Sequence, residues 1–358
     1  MHNSVFTGSL KTGLASFGFT VGKAAARRGR VAIPTLSILF FRLAIFGPGV
    51  QEGEARTVRV SVPAASISVT AFFVARDRGF YKQEGLDVQL IQMPGGIAIQ
   101  ALVAGSLDFS TVVAGGLSAA IRGAPLLNIY NTFYRPMWWI YANPEIRDVA
   151  GLKGKKVAVS GLADSSYIML QEILKKNGLQ GGGRDVVTIV MGDSPSRFNA
   201  LLSGTIDATP ITLPYNFRAQ EANFRELVSF IKEDLVLLAG GIAVQENFYN
   251  TEPEVVRAFL RATLKGFIYA SENRAGTIQV LAQNIRIPEQ LAAKTYDLGR
   301  TAMTPDGSLS EDAQKKAIDL VVKLLDVKDP PPFKKLFNFS QATKIYKELR
   351  AEGWKPGP

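Results

Sequence analysis

The chain predicts an α/β protein of two lobes, each doubly wound and built to one design. Two observations carry that expectation. The first is a ten-residue pattern that occurs twice. Ala101-Leu102-Val103-Ala104-Gly105-Ser106-Leu107-Asp108-Phe109-Ser110 is matched by Ala200-Leu201-Leu202-Ser203-Gly204-Thr205-Ile206-Asp207-Ala208-Thr209, 99 residues further on. Each copy reads as a helix ending at Gly and a short turn into a buried strand. Glycine suits that stop because the residue after a helix often needs positive φ. The Asp opens the strand with a side chain able to accept backbone N–H bonds, a structural role. The second observation is that the neighbourhoods match. Val88–Met93 runs into Pro94-Gly95-Gly96, and Val186–Met191 into Gly192-Asp193-Ser194.

The remaining elements follow in order. Thr57–Val62 alternates as a strand, and Ala64-Ala65-Ser66 opens a helix toward Gly79. The order strand, helix, strand, helix, strand up to Ser110 implies parallel pairing. A short helix closes at Gly123-Ala124-Pro125, and strands follow at Leu126–Thr132 and Met137–Ala142. Beyond Leu152 the same order recurs: strand Lys156–Ser160, a helix after Asp164-Ser165-Ser166, strand Val186–Val190, helix Pro195–Ser203 and strand Ile206–Thr209. Pro210 and Pro214 interrupt the next run before a helix at Tyr215–Ala222, and a strand at Leu235–Val244 leads back to the first lobe. From Pro253 the chain is mainly helical, ending in a helix near Gln341–Glu352.

Composition bounds the chemistry. A chain of 358 residues with 47% hydrophobic and 20% charged residues is ordinary for a globular protein with one large core or two medium ones. It has no cysteine, which excludes disulfides, thiolate metal sites and cysteine nucleophiles. Its single histidine is His2, so histidine acid/base catalysis and His-rich metal sites are not expected in the body. No catalytic residue, cofactor or metal is expected. The net charge is +10, but residues 1–55 hold six Lys/Arg against two Asp/Glu, leaving about +6 on the remainder. No basic stripe is interleaved with aromatics, which speaks against nucleic acid.

Arg27-Arg28-Gly29-Arg30 precedes an apolar run from Val31 to Phe46, which Gly47-Pro48-Gly49 breaks, and Gly53-Glu54-Ala55 offers a small-x-small cleavage pattern. That order is the order of a secretory signal. Residues 1–55 are expected to be a signal peptide and leader removed near Ala55, and the rest a soluble exported protein.

The residues in sequence carry a resemblance. Ala75-Arg76-Asp77-Arg78-Gly79-Phe80-Tyr81-Lys82-Gln83-Glu84-Gly85-Leu86-Asp87-Val88, Ala101–Ser110, Arg122-Gly123-Ala124-Pro125-Leu126 and Leu152-Lys153-Gly154-Lys155-Lys156-Val157-Ala158-Val159 come in that order, with the second copy at 200–209. Together they resemble the periplasmic solute-binding proteins of the nitrate, taurine and alkanesulfonate uptake systems, a family that includes binders of thiamine-pyrimidine precursors. The resemblance is close over 57–245. It implies a two-lobed type II periplasmic-binding-protein fold, with lobe 1 at 56–143, lobe 2 at 144–236, and 237–358 returning to lobe 1. The crossovers would lie near Tyr141–Pro144 and Leu237–Ile242. It also implies a periplasmic monomer that binds a small molecule and docks on an ABC permease at the inner membrane. Two other readings share the fold: a sensor module presenting its ligand to a membrane receptor, and a pyrimidine-synthase-like enzyme. The second would need histidine and a cysteine-rich iron motif, and beyond residue 55 this chain has neither.

In open α/β sheets, ligands bind beyond the carboxyl ends of the strands. The residues there are Ala65 and Ser66; Gly95 and Gly96; Thr111, Val113 and Ala114; Gly161, Ser165, Ser166 and Tyr167; and Asp193. Gly95-Gly96 permits close backbone approach, and Asp164-Ser165-Ser166 opens a helix whose N–H groups and dipole favour an anion. Asp193 reads first as a helix cap. From the aromatic run Phe133–Tyr141, Phe133 and Trp138 are expected in an apolar wall. Pro214-Tyr215 resembles a Pro-Tyr pair of the sulfonate binders. Where that family has Trp and Asp before the pair, Thr212 and Leu213 stand here, and its Gly-Glu after the third strand is Ala114-Gly115. Both departures make the cleft less acidic and speak against an alkanesulfonate. A larger aromatic carboxylate or a heterocycle suits what is left.

Overall fold

The computed structural model describes residues 54–357, apart from Ala163, Asp234, Leu235 and Leu237. The signal-segment expectation falls outside the described residues except for its last two. In the first sheet's run, β1 (Arg56–Val62) leads to α1 (Thr70–Asp77), the short α2 (Phe80–Gln83), β2 (Leu86–Gln92) and α3 (Gly95–Val103). The two-residue β3 (Phe109–Ser110), α4 (Val113–Ile121) and β4 (Leu126–Phe133) complete it. The chain then builds a second sheet from β5 (Trp138–Ala142), β6 (Lys156–Val159), α5 (Ser165–Lys176), β7 (Val187–Val190), α6 (Ser194–Leu202), β8 (Ala208–Thr212), α7 (Tyr215–Glu221) and β9 (Arg225–Ser229). β10 (Ala239–Gln245) returns to the first sheet. α8 (Glu246–Thr251), α9 (Pro253–Glu272), α10 (Arg274–Ile285), α11 (Glu289–Arg300), α12 (Glu311–Leu325) and α13 (Ser340–Ala351) follow. Among the described residues no helix is long and apolar enough to cross a membrane.

The sheets are copies of one plan. Their strand orders are β2-β1-β3-β10-β4 and β7-β6-β8-β5-β9. In each, the first three strands run parallel and the fourth lies antiparallel between its neighbours. The fourth strand is in each case the one that has just crossed from the other sheet. β5 serves the second sheet as β10 serves the first.

The repeated pattern explains why the copies superpose in kind. Gly105 (φ 73°) and Gly204 (φ 70°) take the left-handed conformation that ends α3 and α6. Asp108 accepts the backbone N–H of Arg59 at 2.7 Å while its own N–H donates to Arg59 O. Asp207 does the same with Lys156, its carboxylate at 2.7 Å from the Lys156 nitrogen. Each Asp thus locks the strand it precedes, β3 or β8, to the neighbouring parallel strand, β1 or β6. A buried backbone N–H needs such a partner.

Three expectations are corrected. The first passage between sheets lies at 134–137, between β4 and β5, and not near Tyr141–Pro144. Trp138–Ala142 pairs along its whole length with β8 and from Trp139 with β9, so it belongs to the second sheet. The return lies between β9 and β10, and Ala239 already pairs with Phe133 of β4. Pro210, expected to stop its strand, sits inside β8 opposite Ile140. The ladder of β8 with β6 is confined to Ala208, so the missing N–H is tolerated there. β9, α2 and α8 have no counterpart in the sequence reading. β9 is an edge strand with one buried residue, and α2 and α8 are only 4 and 6 residues long.

The long helices hold the lobes. α9 has Pro253 in its first turn, Glu254 beside the positive helix end and a buried face from Val256 to Ala270. It packs on α1, α2 and α13, and its Phe259 stacks on Tyr81 of α2 and Phe109 of β3 at 5.4 and 4.2 Å between ring centroids. Gly266 is required at the α1–α9 crossing, because a methyl there would overlap Ala71 O.

Candidate functional site

The parallel strands of both sheets end at one cavity of about 500 Å³. The loops after β1, β2 and β3 form its wall on the first sheet, and those after β6, β7 and β8 form its wall on the second. Of the expected residues, Ala65, Ser66, Gly95, Thr111, Val113, Ala114, Phe133, Trp138, Ser165, Asp193 and Tyr215 line it. β5 alternates its aromatics: Trp138 faces the cavity, whereas Trp139 turns into the core. Met93, Met137 and Met191 fill between the rings as adaptable apolar wall.

Five expected residues stand outside the wall. Gly96 points to solvent on the first turn of α3. Gly161 lies behind Asp164, whose Oδ2 would be 3.0 Å from a methyl placed on it. Tyr167 packs on the core, and Pro214 is buried beneath Tyr215 at the start of α7. Ser166 is fully buried. Its Oγ accepts from the Ser160 N–H at 2.8 Å and donates to Asp164 Oδ1 at 3.0 Å. Its hydroxyl is committed to the loop, and the anion site expected at 165–166 already holds a carboxylate.

Four helix ends point at the cavity, and the two lobes treat them differently. α3 and α4 begin after Pro94 and Val112, neither of which supplies a side-chain acceptor. Their first N–H groups face the cavity with the positive end of the helix dipole. α5 and α6 begin after Asp164 and Asp193, so in the second lobe that positive end meets an acid. Asp193 Oδ1 accepts the Ser196 N–H at 3.0 Å, the expected cap.

The sequence reading missed Arg197, the largest fully buried side chain of the described residues. It lies on α6 beneath the cavity wall. Its Nε donates to Thr209 Oγ1 at 3.1 Å and Pro210 O at 3.2 Å, its Nη2 to Ser194 Oγ at 3.1 Å, and its Nη1 to Gly192 O. Its guanidinium sits 5.8 Å from the Trp138 ring centroid. Burial brings it down to about 10, against the pull of Asp164 and Asp193. Burial pushes the Asp164 carboxyl above the usual range, opposed by the Ser160 and Ser166 hydroxyls and by Arg197. The signal for Arg197 was spacing. It shares the face of Ala200 and Leu201, three and four residues on, which is the buried face of α6.

Among the described residues no group of three or more His, Cys, Asp or Glu is placed to hold a metal. The arrangement offers an apolar, aromatic slot with backbone donors on one side and a carboxylate on the other.

Comparison with known proteins bears on the fold and the family. A putative binding protein of Brucella abortus is 32% identical over 149 residues, which is 41% of this chain and 44% of that protein. The chain thus matches less than half the length of that relative. A solved structure from Bordetella bronchiseptica RB50 superposes with a TM-score of 0.72 at 22% identity, covering 83% of this chain and 99% of the other. The alkanesulfonate-binding protein SsuA of Xanthomonas axonopodis pv. citri, solved bound to MOPS, superposes at 0.63 and 22% identity, covering 82% and 98%. The fold is the two-lobed type II periplasmic-binding-protein fold. A family model described as NMT1/THI5 like matches residues 66–275, which hold both walls of the cavity, and the chain belongs to that family.

Proposed function

We propose that the chain is the exported solute-binding component of an ABC-type importer. It takes a small organic molecule with a flat aromatic or apolar body into the interlobe cleft and delivers it to a permease at the inner membrane. The observation that carries this reading is the cleft itself. It is a cavity of about 500 Å³ at the strand ends of both sheets, walled by Trp138, Phe133, Tyr215 and three methionines. Such concave apolar sites with few polar groups are how proteins bind small molecules. The reading is non-catalytic because the wall's charged groups are engaged within the protein and the chain's one histidine is His2. The likeness to SsuA supports uptake over synthesis.

The test is a thermal-shift screen of the purified protein against sulfonates, aromatic carboxylates, nitrate, pyrimidines and flavins. A solute at 100 times its Kd stabilises by about 2.7 kcal/mol, worth roughly 5 °C or more. Mass spectrometry of the bound solute should return it unchanged. A chemically altered product would refute the binding role, and a response from no class would refute the choice of solute.

A further inference from the structure

Three charged side chains stand in the cleft wall, Asp164, Asp193 and Arg197. Arg197 is fully buried, and all three of its nitrogens donate to protein oxygens. Asp193 accepts the Ser196 N–H as the cap of α6. Asp164 differs in where it faces. Its Oδ1 receives the Ser166 hydroxyl, the Ser160 hydroxyl and the Tyr167 N–H also bond the carboxyl, and its Oδ2 lies 3.9 Å from where a methyl on Gly95 of the other lobe would sit. An ionised carboxyl has about four acceptor positions, more than this loop fills.

We propose that Asp164 determines specificity by receiving a hydrogen-bond donor of the solute, a ring N–H, amide or ammonium, so that the cleft selects neutral or cationic solutes over anionic ones. The inference rests on the reading of the cavity as a solute cleft and names the class of solute. An anion against this wall would either meet the Asp164 carboxylate as a like charge or force a proton onto it, and both cost binding in a buried site. Among the described lining residues Arg197 is the one cation, and it is fully buried, so it presents no exposed charge to an anion. The positive end of α5, which otherwise attracts anions, already has the Asp164 carboxylate as its cap residue. Burial has raised the proton affinity of this group, which makes it a strong acceptor for a neutral N–H as well.

The opposite wall supplies the other pole. Thr111 is 4% exposed, lines the cleft, and its Oγ1 has no hydrogen-bond partner. It stands two residues before α4, whose first N–H groups have no side-chain cap. A buried hydroxyl without a partner is costly unless a ligand completes it. The solute therefore lies with an accepting group, such as a carbonyl or ring nitrogen, toward Thr111 and a donating group toward Asp164.

The test uses ring compounds that differ only in their head group: benzamidine, benzamide and benzoate, and the same three head groups on pyridine and pyrimidine rings. Binding is measured by calorimetry and Trp fluorescence on the wild type, Asp164→Asn and Asp164→Ser, with circular dichroism to confirm folding. Asn and Ser both suit a helix cap, so neither should unfold α5. The wild type should bind amidines and amides at least tenfold more tightly than carboxylates. Both variants should lose that preference by roughly 10- to 100-fold, the worth of a charged hydrogen bond. If a variant fails to fold, the wild-type order of head groups decides alone. Tighter binding of carboxylates by the wild type, or a preference unchanged in folded variants, overturns the role of Asp164 and leaves the solute cleft standing. No binding in any series, together with no response in the wider screen, overturns both.

Discussion

Replacing Arg197 by Ala tests whether the cleft floor is held by one buried fork of hydrogen bonds. The substitution leaves the Gly192 and Pro210 carbonyls and the Ser194 hydroxyl without their donor. Each buried polar group so stranded costs about 1–3 kcal/mol. Water entering from the adjacent cavity recovers part of this, and relief from burying a charge recovers more. Against that, Asp164 and Asp193 lose their nearest cation. The sum comes to about 4 kcal/mol, within the 3–5 kcal/mol typical when one member of a buried charged set is removed. Thermal unfolding followed by circular dichroism should show a fall of about 8 °C at roughly 2 °C per kcal/mol. Arg197→Lys keeps the charge but not the planar fork, and should lie between the two. An Ala variant within 1 kcal/mol of the wild type, or a Lys variant as stable as the wild type, would refute the reasoning.

The repeated Asp pair should behave as one device in two settings. Asp108→Ala and Asp207→Ala should each cost about 1–2 kcal/mol in urea unfolding, with Asp108 the larger because it is 8% exposed and Asp207 is half-buried; equal, negligible losses would remove the lock from the argument. Gly240→Ala should cost about 3 kcal/mol or more, because Gly240 has φ 62° and an added methyl would overlap Ser68 O. A silent substitution there would mean that β10 shifts freely. The Asp164 carboxyl is held above its usual 3.8 by burial, so the unfolded chain ionises first as pH rises. Its contribution to stability is greatest below the usual value and is lost as pH rises through the raised folded value. The gap in unfolding free energy, wild type minus Asp164→Asn, should therefore shrink from about pH 4 upward, and a constant gap would contradict the burial argument. Finally, Asp164→Asn and Thr111→Val should be non-additive by more than about 0.5 kcal/mol in binding of the best amide probe; strict additivity would mean that the two walls hold the solute independently.

What was legible in the sequence was what local geometry writes. Gly105 and Gly204 mark helix ends because only glycine takes positive φ there at no cost, and Asp108 and Asp207 mark strand starts because the backbone beside them needs an acceptor. Those four residues reveal the repeat and hence the two sheets. Strand partnership is not local. Trp138–Ala142 reads as a strand, but its pairing with Ala208–Thr212 and Arg225–Ser229 is decided some 66–90 residues away, so the sequence alone puts the crossover beyond it. Residues at strand ends were legible as a cavity wall, yet Ser166 and Arg197 show how far type misleads. A serine at a helix start looks like a ligand contact, and here it is fully buried under Asp164. An arginine between serine and phenylalanine looks solvent-facing. It is buried because α6 lies over β8, where Thr209 and Pro210 accept from it.

The repeat is symmetric in backbone and asymmetric in charge, and the proposed specificity rests on that asymmetry. α3 and α6 occupy equivalent places after β2 and β7, and both begin at the cleft. One starts after Pro94 and leaves its N–H groups to the cavity, whereas the other starts at Asp193, which takes them for itself. The loops after β1 and β6 differ in the same sense, Ser66 standing where the second lobe has Asp164. The first lobe therefore offers donors and the second an acceptor. A solute with a single pole satisfies one wall only and gains nothing from bringing the lobes together. A solute with an accepting end and a donating end satisfies both, and each end is worth about 1.5–3 kcal/mol where the partner group is charged and less where it is neutral. Because the two contacts come from different lobes, a solute that makes both bridges the two walls of the cleft.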